Sequence, residues 1–365
     1  MTKSVTISDF HLWEKAKAKR TLLQLTLELT VRCNNNCIHC YNNLPPDDPN
    51  AIKNELSTKD VKDIIDQAVD MGLLWVLLTG GEVLLREDFF ELYKYIKKKG
   101  LIVSLFTNAT LISDNHIKLF TKYPPRDIEV TVYGLSKKKY AAVARTGNYS
   151  IFMNGLEKLF KASMPVSLKT TIMQSNFKYL KDIAEFCKNR SRKKFKFDPF
   201  LFLRTDKNKR RNKDIISQRL SAEQIIYLEQ KDALRIETVK KQCQRIDSEN
   251  TIKSASEKLL KCGAGLSSAM IDCNGFFRLC GSLVDKNCIY DLKKGSLKKA
   301  WENFTPTVLD LESKHSAYQD TCGKCNIINL CVWCPAKSEL ETDKLDGHSQ
   351  YFCQIASNRY DYCKE

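Results

Sequence analysis

The sequence predicts an α/β protein: a parallel sheet of strand–helix units forming a partial (β/α)6, TIM-like barrel, followed by a small cysteine-rich α+β domain. Three observations predict it. Six apolar, β-branched-rich runs recur along the first half of the chain. Amphipathic stretches separate them. After residue 261 the composition shifts to cysteines, glycines and short strand-like segments.

The six runs are Leu23–Val31, Leu73–Leu78, Leu101–Phe106, Ile128–Val132, Val166–Ile172 and Phe195–Phe202. Short continuous apolar runs of this kind read as strands buried on both faces of a parallel sheet. In the first intervening stretch Ser57 or Thr58 is placed to cap a helix. Val61, Ile64, Ile65, Ala68 and Val69 form its apolar face, and Gly72 ends it. Phe89, Phe90, Leu92, Tyr93 and Ile96 give the second helix a broad apolar face. Ile117–Phe120, Leu156–Phe160 and Leu180–Phe186 mark others. Strands alternating with helices imply right-handed crossovers, and six units leave a barrel open. The expected segments are an N-terminal extension at 1–20, the barrel at 21–204, a charged helical linker at 205–261, the cysteine-rich domain at 262–353 and a tail at 354–365. Ser221 is the expected cap of a linker helix covering Glu223–Leu234.

The chain has 365 residues and a formal net charge of +16, with 43% hydrophobic residues. That apolar content supports a sizeable core. No run of about 18 apolar residues is present, so no membrane span is expected. The first twenty residues lack a signal-peptide pattern, and a cytoplasmic location is the expectation. The lysines are spread along the chain as on a solvated surface, with the densest basic stretch, Arg190–Lys196 followed by Arg204–Lys213, as the candidate exception. No stacking-aromatic motif or RNA-binding module accompanies them, so nucleic acid is not the expected partner. Fifteen cysteines in a reducing compartment point to metal rather than to disulfides.

Three cysteines follow the first strand directly, in Cys33-Asn34-Asn35-Asn36-Cys37-Ile38-His39-Cys40-Tyr41. Thiolates are the ligands of [4Fe–4S] clusters, and three on one short loop leave the fourth iron open to another molecule. A zinc site would want four ligands in two pairs, and His39 has little room to bend back beside Cys40. C-x3-C-x2-C at the end of a first barrel strand resembles the signature of the radical S-adenosylmethionine (SAM) superfamily, over residues 21 to about 204. The resemblance implies a partial (β/α)6 barrel whose cluster binds SAM and cleaves it by one electron. The products are methionine and a 5′-deoxyadenosyl radical that takes hydrogen from an unreactive C–H bond.

The resemblance also implies SAM contacts. Gly80, Gly81 and Glu82, after the second strand, match the segment that meets the SAM amino group; a carboxylate suits an ammonium. Asn108 stands in Thr107-Asn108-Ala109, with alanine where the family commonly has glycine. Arg145 resembles the arginines that pair with the SAM carboxylate, and His39 holds the position near the adenine that is usually aromatic.

The C-terminal cysteines run Cys262-x12-Gly275-x4-Cys280, then Cys322-x2-Cys325-x5-Cys331-x2-Cys334, then Cys353. The order closely resembles the SPASM domain, with one residue fewer in the last short spacing. Leu297–Trp301 resembles the helix joining that domain's two halves. The resemblance implies two auxiliary [4Fe–4S] clusters, three in all. Cys322, Cys325, Cys331 and Cys353 would hold one. Cys262, Cys280 and Cys334 would supply three ligands to the other. Its fourth ligand stays open among Cys288, Cys243 and a non-protein group. A two-residue turn at Asn274-Gly275 would pair Cys273 with Phe276 and hold Cys273 roughly 13 Å from Cys280, too far to share a cluster. Cys187 reads as a buried helix residue and Cys363 as an idle tail thiol. Two zinc knuckles are the alternative for this region.

The implied function is modification of a peptide or protein side chain, with an electron donor such as flavodoxin or ferredoxin and a separate leader-binding protein as partners. Gly281 stands where sulfatase-maturing relatives have aspartate, which argues against formylglycine formation. The alternatives are a radical SAM enzyme acting on RNA or a small metabolite, and a non-catalytic zinc-binding interaction protein. No catalytic acid or base is assigned. Tyr133, Asp198 and Arg204 lie at or just beyond predicted strand ends, where barrel sites gather.

Overall fold

A computed structural model describes residues 12–248 and 257–364. The first eleven residues of the expected extension, residues 249–256 of the expected linker and Glu365 lie outside the described residues. All six predicted strands are present: β1 (Gln24–Thr30), β2 (Trp75–Gly80), β3 (Ile102–Thr107), β4 (Asp127–Thr131), β5 (Val166–Thr171) and β6 (Lys196–Asp198). They pair in parallel, each with its successor, in the spatial order β6-β5-β4-β3-β2-β1. This is the open α/β barrel wall that the strand–helix alternation requires.

Helix α1 (Leu12–Ala18) precedes the sheet. The crossovers carry α2 (Pro49–Asn54), α3 (Thr58–Asp70), α4 (Phe89–Lys98), α5 (Asp114–Lys122), α6 (Lys137–Ala144), α7 (Tyr149–Lys161) and α8 (Leu180–Lys188). In α3 the Ser57 hydroxyl accepts from Asp60 N at 3.2 Å and the Asp60 carboxylate accepts from Ser57 N at 3.0 Å. This reciprocal box fixes the start of the helix. Val61, Ile64, Ile65 and Ala68 are buried under the sheet at helical spacing. Cys187 is buried on α8, as its place on that helix's apolar face requires.

Strand periodicity then sorts side chains between two environments. Val76 and Leu78, Ile128 and Val130, and Leu25 and Leu27 are buried beneath the helices. Their alternates turn inward: Gln24 and Thr26, Leu77 and Thr79, Glu129 and Thr131, Lys169 and Thr171 line the barrel cavity. The outer face holds the core; the inner face is free for chemistry.

The charged segment after β6 forms α9 (Lys209–Gln218), α10 (Ala222–Gln230) and α11 (Ala233–Ser248). Ser221 caps α10, its hydroxyl accepting from Gln224 N at 3.3 Å. The C-terminal region does not build a sheet of its own. Strand β7 (Ser268–Ile271) pairs in parallel with β1, and β8 (Phe276–Arg278) and β9 (Tyr290–Asp291) follow antiparallel, so nine strands form one sheet. The parallel β1 edge, which an open barrel leaves unpaired, is covered in this way.

Two expectations are corrected here. The β7–β8 loop holds three residues, not two: Asp272 N donates to Phe276 O at 3.1 Å, leaving Cys273, Asn274 and Gly275 in the turn. The cause is the Asp272 carboxylate, which accepts from both Asn274 N and Phe276 N at 3.0 Å and closes the wider loop. Cys363 is not idle. It forms a disulfide with Cys243, 120 residues away, which also removes Cys243 from the candidate cluster ligands. The reason is packing: α11 and the C-terminal helix Gln350–Lys364 lie side by side, sharing an apolar patch that includes Val239, Leu330 and Ala356. Among the described residues no helix is long and apolar enough to cross a membrane.

Candidate functional site

The loop after β1 crosses the mouth of the barrel. Cys33 N donates to Leu44 O and Leu44 N to Val31 O, each at 2.9 Å, so the loop leaves and returns at one point. Asn36 N reaches Ala144 O at 3.0 Å and Ile38 N reaches Val143 O at 2.9 Å, docking the loop onto the end of α6. Cys33 and Cys37 are buried and Cys40 is partly exposed. Asn35 N approaches Cys33 Sγ at 3.4 Å, and Asn108 Nδ2 approaches it at 3.7 Å. Burial first, then the Glu82 charge, pushes the Cys33 thiol up to about 12. Bare thiolates are disfavoured here, and a bound metal would supply the missing positive charge.

Below the loop lies a cavity of about 730 Å³, lined by Cys33, His39 and Cys40 at its mouth and by the inward residues of the strands. Gly80 and Gly81 reach its wall. A Cβ on Gly80 would stand 2.1 Å from Thr30 O, and one on Gly81 2.3 Å from Arg32 O, so both glycines let β2 close against the start of the cysteine loop. Asn108 also lines the cavity, held by Asn34 Oδ1 at 2.9 Å. His39 packs edge-on against Tyr133 at 5.2 Å, and its buried Nδ1 has no hydrogen-bond partner. Burial, then Arg211 and Lys169, lowers its pKa to about 4, so the ring is neutral. Lys169 pairs with Glu129 across the floor and lies over the Phe106 ring at 4.1 Å. Tyr133 and Asp198, the strand-end residues noted above, both face the cavity.

Two expected contacts lie elsewhere. Glu82 is fully buried behind the wall: its carboxylate accepts from Asn108 N at 2.7 Å, Thr107 Oγ1 at 2.8 Å and Leu84 N at 3.2 Å. It ties the end of β2 to the end of β3 and does not line the cavity. Arg145 does not reach the cavity either. It adopts the left-handed conformation that ends α6, with φ of +53°, and its guanidinium pairs with Asp214 on α9 at 2.8 Å.

The C-terminal cysteines gather in two groups. The thiolate charges of Cys353, Cys322 and Cys325 all bear on Cys331, and those of Cys353 and Cys325 on Cys322. Cys353 Sγ also lies 3.1 Å from His348 Nε2. Cys280 and Cys262 bear on Cys334, which stands at the start of the helix Pro335–Thr342. Cys280 lines the same cavity as Cys33 and Cys40. Cys288 is fully buried and feels the Cys280 charge. Cys273 is buried; its carbonyl accepts from Leu56 N at 2.7 Å, and burial, then the charges of Asp272, Glu28 and Glu55, push its thiol up to about 12. Among the described residues no three His, Cys, Asp or Glu side chains converge on a point for one metal ion. Thiolates that each bind a separate iron of a cube stand farther apart than that.

Several contacts were not legible in the sequence. Arg204 and Arg211 both bond the cysteine loop. Buried Glu28 accepts from Asn42 Nδ2 at 2.8 Å and from Tyr41 at 3.0 Å, and faces Arg278 at 3.6 Å. Arg278 Nη1 in turn donates to Gly281 O at 3.3 Å, beside Cys280. The only signal for these was charge in otherwise apolar or linker positions.

A partial parallel barrel thus places three thiols on the loop after its first strand, at the mouth of the cavity. Residues 27–187 match the model of the Radical SAM superfamily. Over 162 residues it is 30% identical to an AdoMet-dependent heme synthase of Methanosarcina barkeri, covering 44% of this chain and 46% of that one. Over 161 residues it is 30% identical to the mycofactocin maturase MftC of Mycobacterium tuberculosis, covering 44% and 40%. The matches thus span less than half the length of these curated relatives. The fold is similar to Streptococcus suis SuiB bound to precursor peptide SuiA, with a TM-score of 0.66 at 16% identity over 93% of this chain and 79% of that one. It is also similar to native anSMEcpe with bound AdoMet, with a TM-score of 0.64 at 16% identity over 94% and 97%.

Proposed function

We propose that the chain is a radical SAM enzyme acting on a peptide or protein side chain. The observation that carries this reading is one cavity with Cys33 and Cys40 at its mouth and Cys280 on the wall that β7 and β8 add. The residues fit the groups the domain implies. Cys33, Cys37 and Cys40 are three soft donors on one loop, with two N–H groups directed at Cys33 Sγ, which suits a [4Fe–4S] cluster with an open iron. When bound, that cluster supplies the electron for reductive cleavage of SAM. His39, with its free Nδ1, Gly80, Gly81 and Asn108 form the wall against which SAM would lie. Glu82 positions Asn108, and Arg145 stiffens the end of α6. Tyr133, Phe106 and Leu203 give the cavity an apolar lining that would limit water near a reacting centre.

For the cysteine-rich region we propose a SPASM arrangement holding two auxiliary clusters, one on Cys322, Cys325, Cys331 and Cys353, the other on Cys262, Cys280 and Cys334. A flavodoxin- or ferredoxin-like donor and a separate leader-binding protein belong to the same reading. The peptide assignment draws on MftC, a maturase, and on SuiB, seen with its precursor peptide. A small-metabolite substrate is the second reading, favoured by the equal identity to the heme synthase.

The test is anaerobic reconstitution. The parent should hold about 10–12 irons, at four per cluster. Alanine at Cys33, Cys37 and Cys40 together should leave about eight and abolish 5′-deoxyadenosine formation with dithionite. Product formation by the triple variant would refute the assignment.

A further inference from the structure

Two guanidiniums from beyond the matched domain grip the backbone of the cysteine loop. Arg204, only 2% exposed, donates from Nη1 to Cys40 O and to Asn43 Oδ1 at 3.0 Å and from Nη2 to Asn43 O at 3.1 Å. Arg211, on α9, donates from Nη2 to Cys37 O at 3.0 Å and to Asn43 Oδ1 at 3.1 Å, and from Nη1 to Asn36 Oδ1 at 2.8 Å. Asn43 Nδ2 closes the knot on Asn35 O at 3.1 Å. The carbonyls of two of the three loop cysteines are therefore held by positive charge.

The two arginines differ in their counter-charge. Arg204 forms an ion pair with Asp206 at 2.6 Å. Arg211 has no carboxylate within ion-pair distance among the described residues. Asp214, whose charge bears on it, is paired with Arg145. Its buried Nε has no partner at all. A partly buried guanidinium with a donor left over is costly unless an anion completes it. The loop in front of it carries three thiols, and three thiolates on a [4Fe–4S] core make an anion that gains further negative charge on reduction.

We infer that Arg211, backed by Arg204, is a positioning residue that supplies the counter-charge of the N-terminal cluster and raises its reduction potential. The inference rests on the cluster assignment above. Cluster potentials follow net charge and hydrogen bonding around the sulfurs, so the two arginines ease the electron's entry. Asp206 works in the opposite sense, by screening Arg204.

The experiment uses the full chain, reconstituted anaerobically, with the N-terminal cluster's EPR signal identified by its change on adding SAM. Arg211→Gln should lower the ratio of reduced to oxidised cluster about tenfold at a fixed dithionite poise, which is 59 mV for a one-electron couple. Arg211→Lys keeps the charge and should stay within about twofold of the parent. Asp206→Asn should shift the ratio the other way, and because Asp206 is partly exposed it serves if Arg211→Gln loads poorly. A purely structural clamp would lower iron content in both Arg211 variants and leave the ratio of the loaded fraction unchanged. That result, or an unchanged ratio in Asp206→Asn at full iron, overturns the inference. A parent that holds no iron at Cys33, Cys37 and Cys40 would refute the cluster assignment instead.

Discussion

Gly80→Ala is the sharpest test of how the barrel supports its cysteine loop. Gly80 has a φ of +141°, where a side chain is strained, and its Cβ would stand 2.1 Å from the Thr30 carbonyl oxygen. Both partners are backbone at the junction of β1 and β2, so neither can swing aside. The dihedral costs on the order of 1–3 kcal/mol, and overpacking costs about 1–3 kcal/mol more. Together they remove roughly 2–6 kcal/mol, a large part of the 5–15 kcal/mol that holds a typical domain. Gly147→Ala is the control, because a Cβ there meets nothing within 4 Å. In urea denaturation of the metal-free, reduced chain, a loss of about 3 kcal/mol moves the midpoint by roughly 1 M at a slope of about 3 kcal/mol/M. The same variant should load less iron at the N-terminal site, because Gly80 N–Cα geometry sets where Thr30, Val31 and Arg32 enter the loop. A Gly80→Ala midpoint equal to that of Gly147→Ala would refute the reasoning.

Arg359→Ala should destabilise the chain by about 3–5 kcal/mol, since it leaves Glu229 buried and unpaired; Arg359 Nε now meets Glu229 Oε2 at 3.0 Å, and thermal unfolding measures the loss. His116 should make stability fall with acid. Burial lowers its pKa from 6.5 to about 4, so between those values the unfolded chain binds a proton that the folded chain does not, and stability drops as pH falls through that window by up to about 3 kcal/mol. Its Nδ1 accepts the Ser113 N–H at 3.2 Å, and His116→Gln should flatten the pH slope in urea titrations between pH 6.5 and 4. Cys273→Ala should keep both proposed auxiliary clusters by iron count, because the carboxylates of Asp272, Glu28 and Glu55 around its buried thiol disfavour the thiolate a ligand needs; loss of four irons would show that it is a ligand.

Local order was legible from one dimension because it depends on near neighbours. Continuous apolar runs placed the six strands, helical spacing placed the apolar faces of α3 and α4, and Ser57 and Ser221 announced their helix starts. The loop Cys33–Cys40 was legible for the same reason: the spacing of its three cysteines is a property of eight consecutive residues. What sequence could not carry was any contact fixed by the packing of distant elements. That β7 would extend the sheet at β1 depends on an edge that only the open barrel creates. The wider β7–β8 loop followed from one aspartate's hydrogen bonds, and the Cys243–Cys363 bond from two helices that meet only after the chain has folded. Charged side chains were the hardest to place, because long arginines choose among partners by tertiary geometry. Arg145, expected by resemblance to pair with the SAM carboxylate, turned to Asp214, while Arg204, noted only as a strand-end residue, and Arg211, in the expected charged linker, closed over the cysteine loop. The sequence alone determined which atoms were available for chemistry; the tertiary structure decided which charges stand beside them, because that depends on where α9 docks against the barrel mouth.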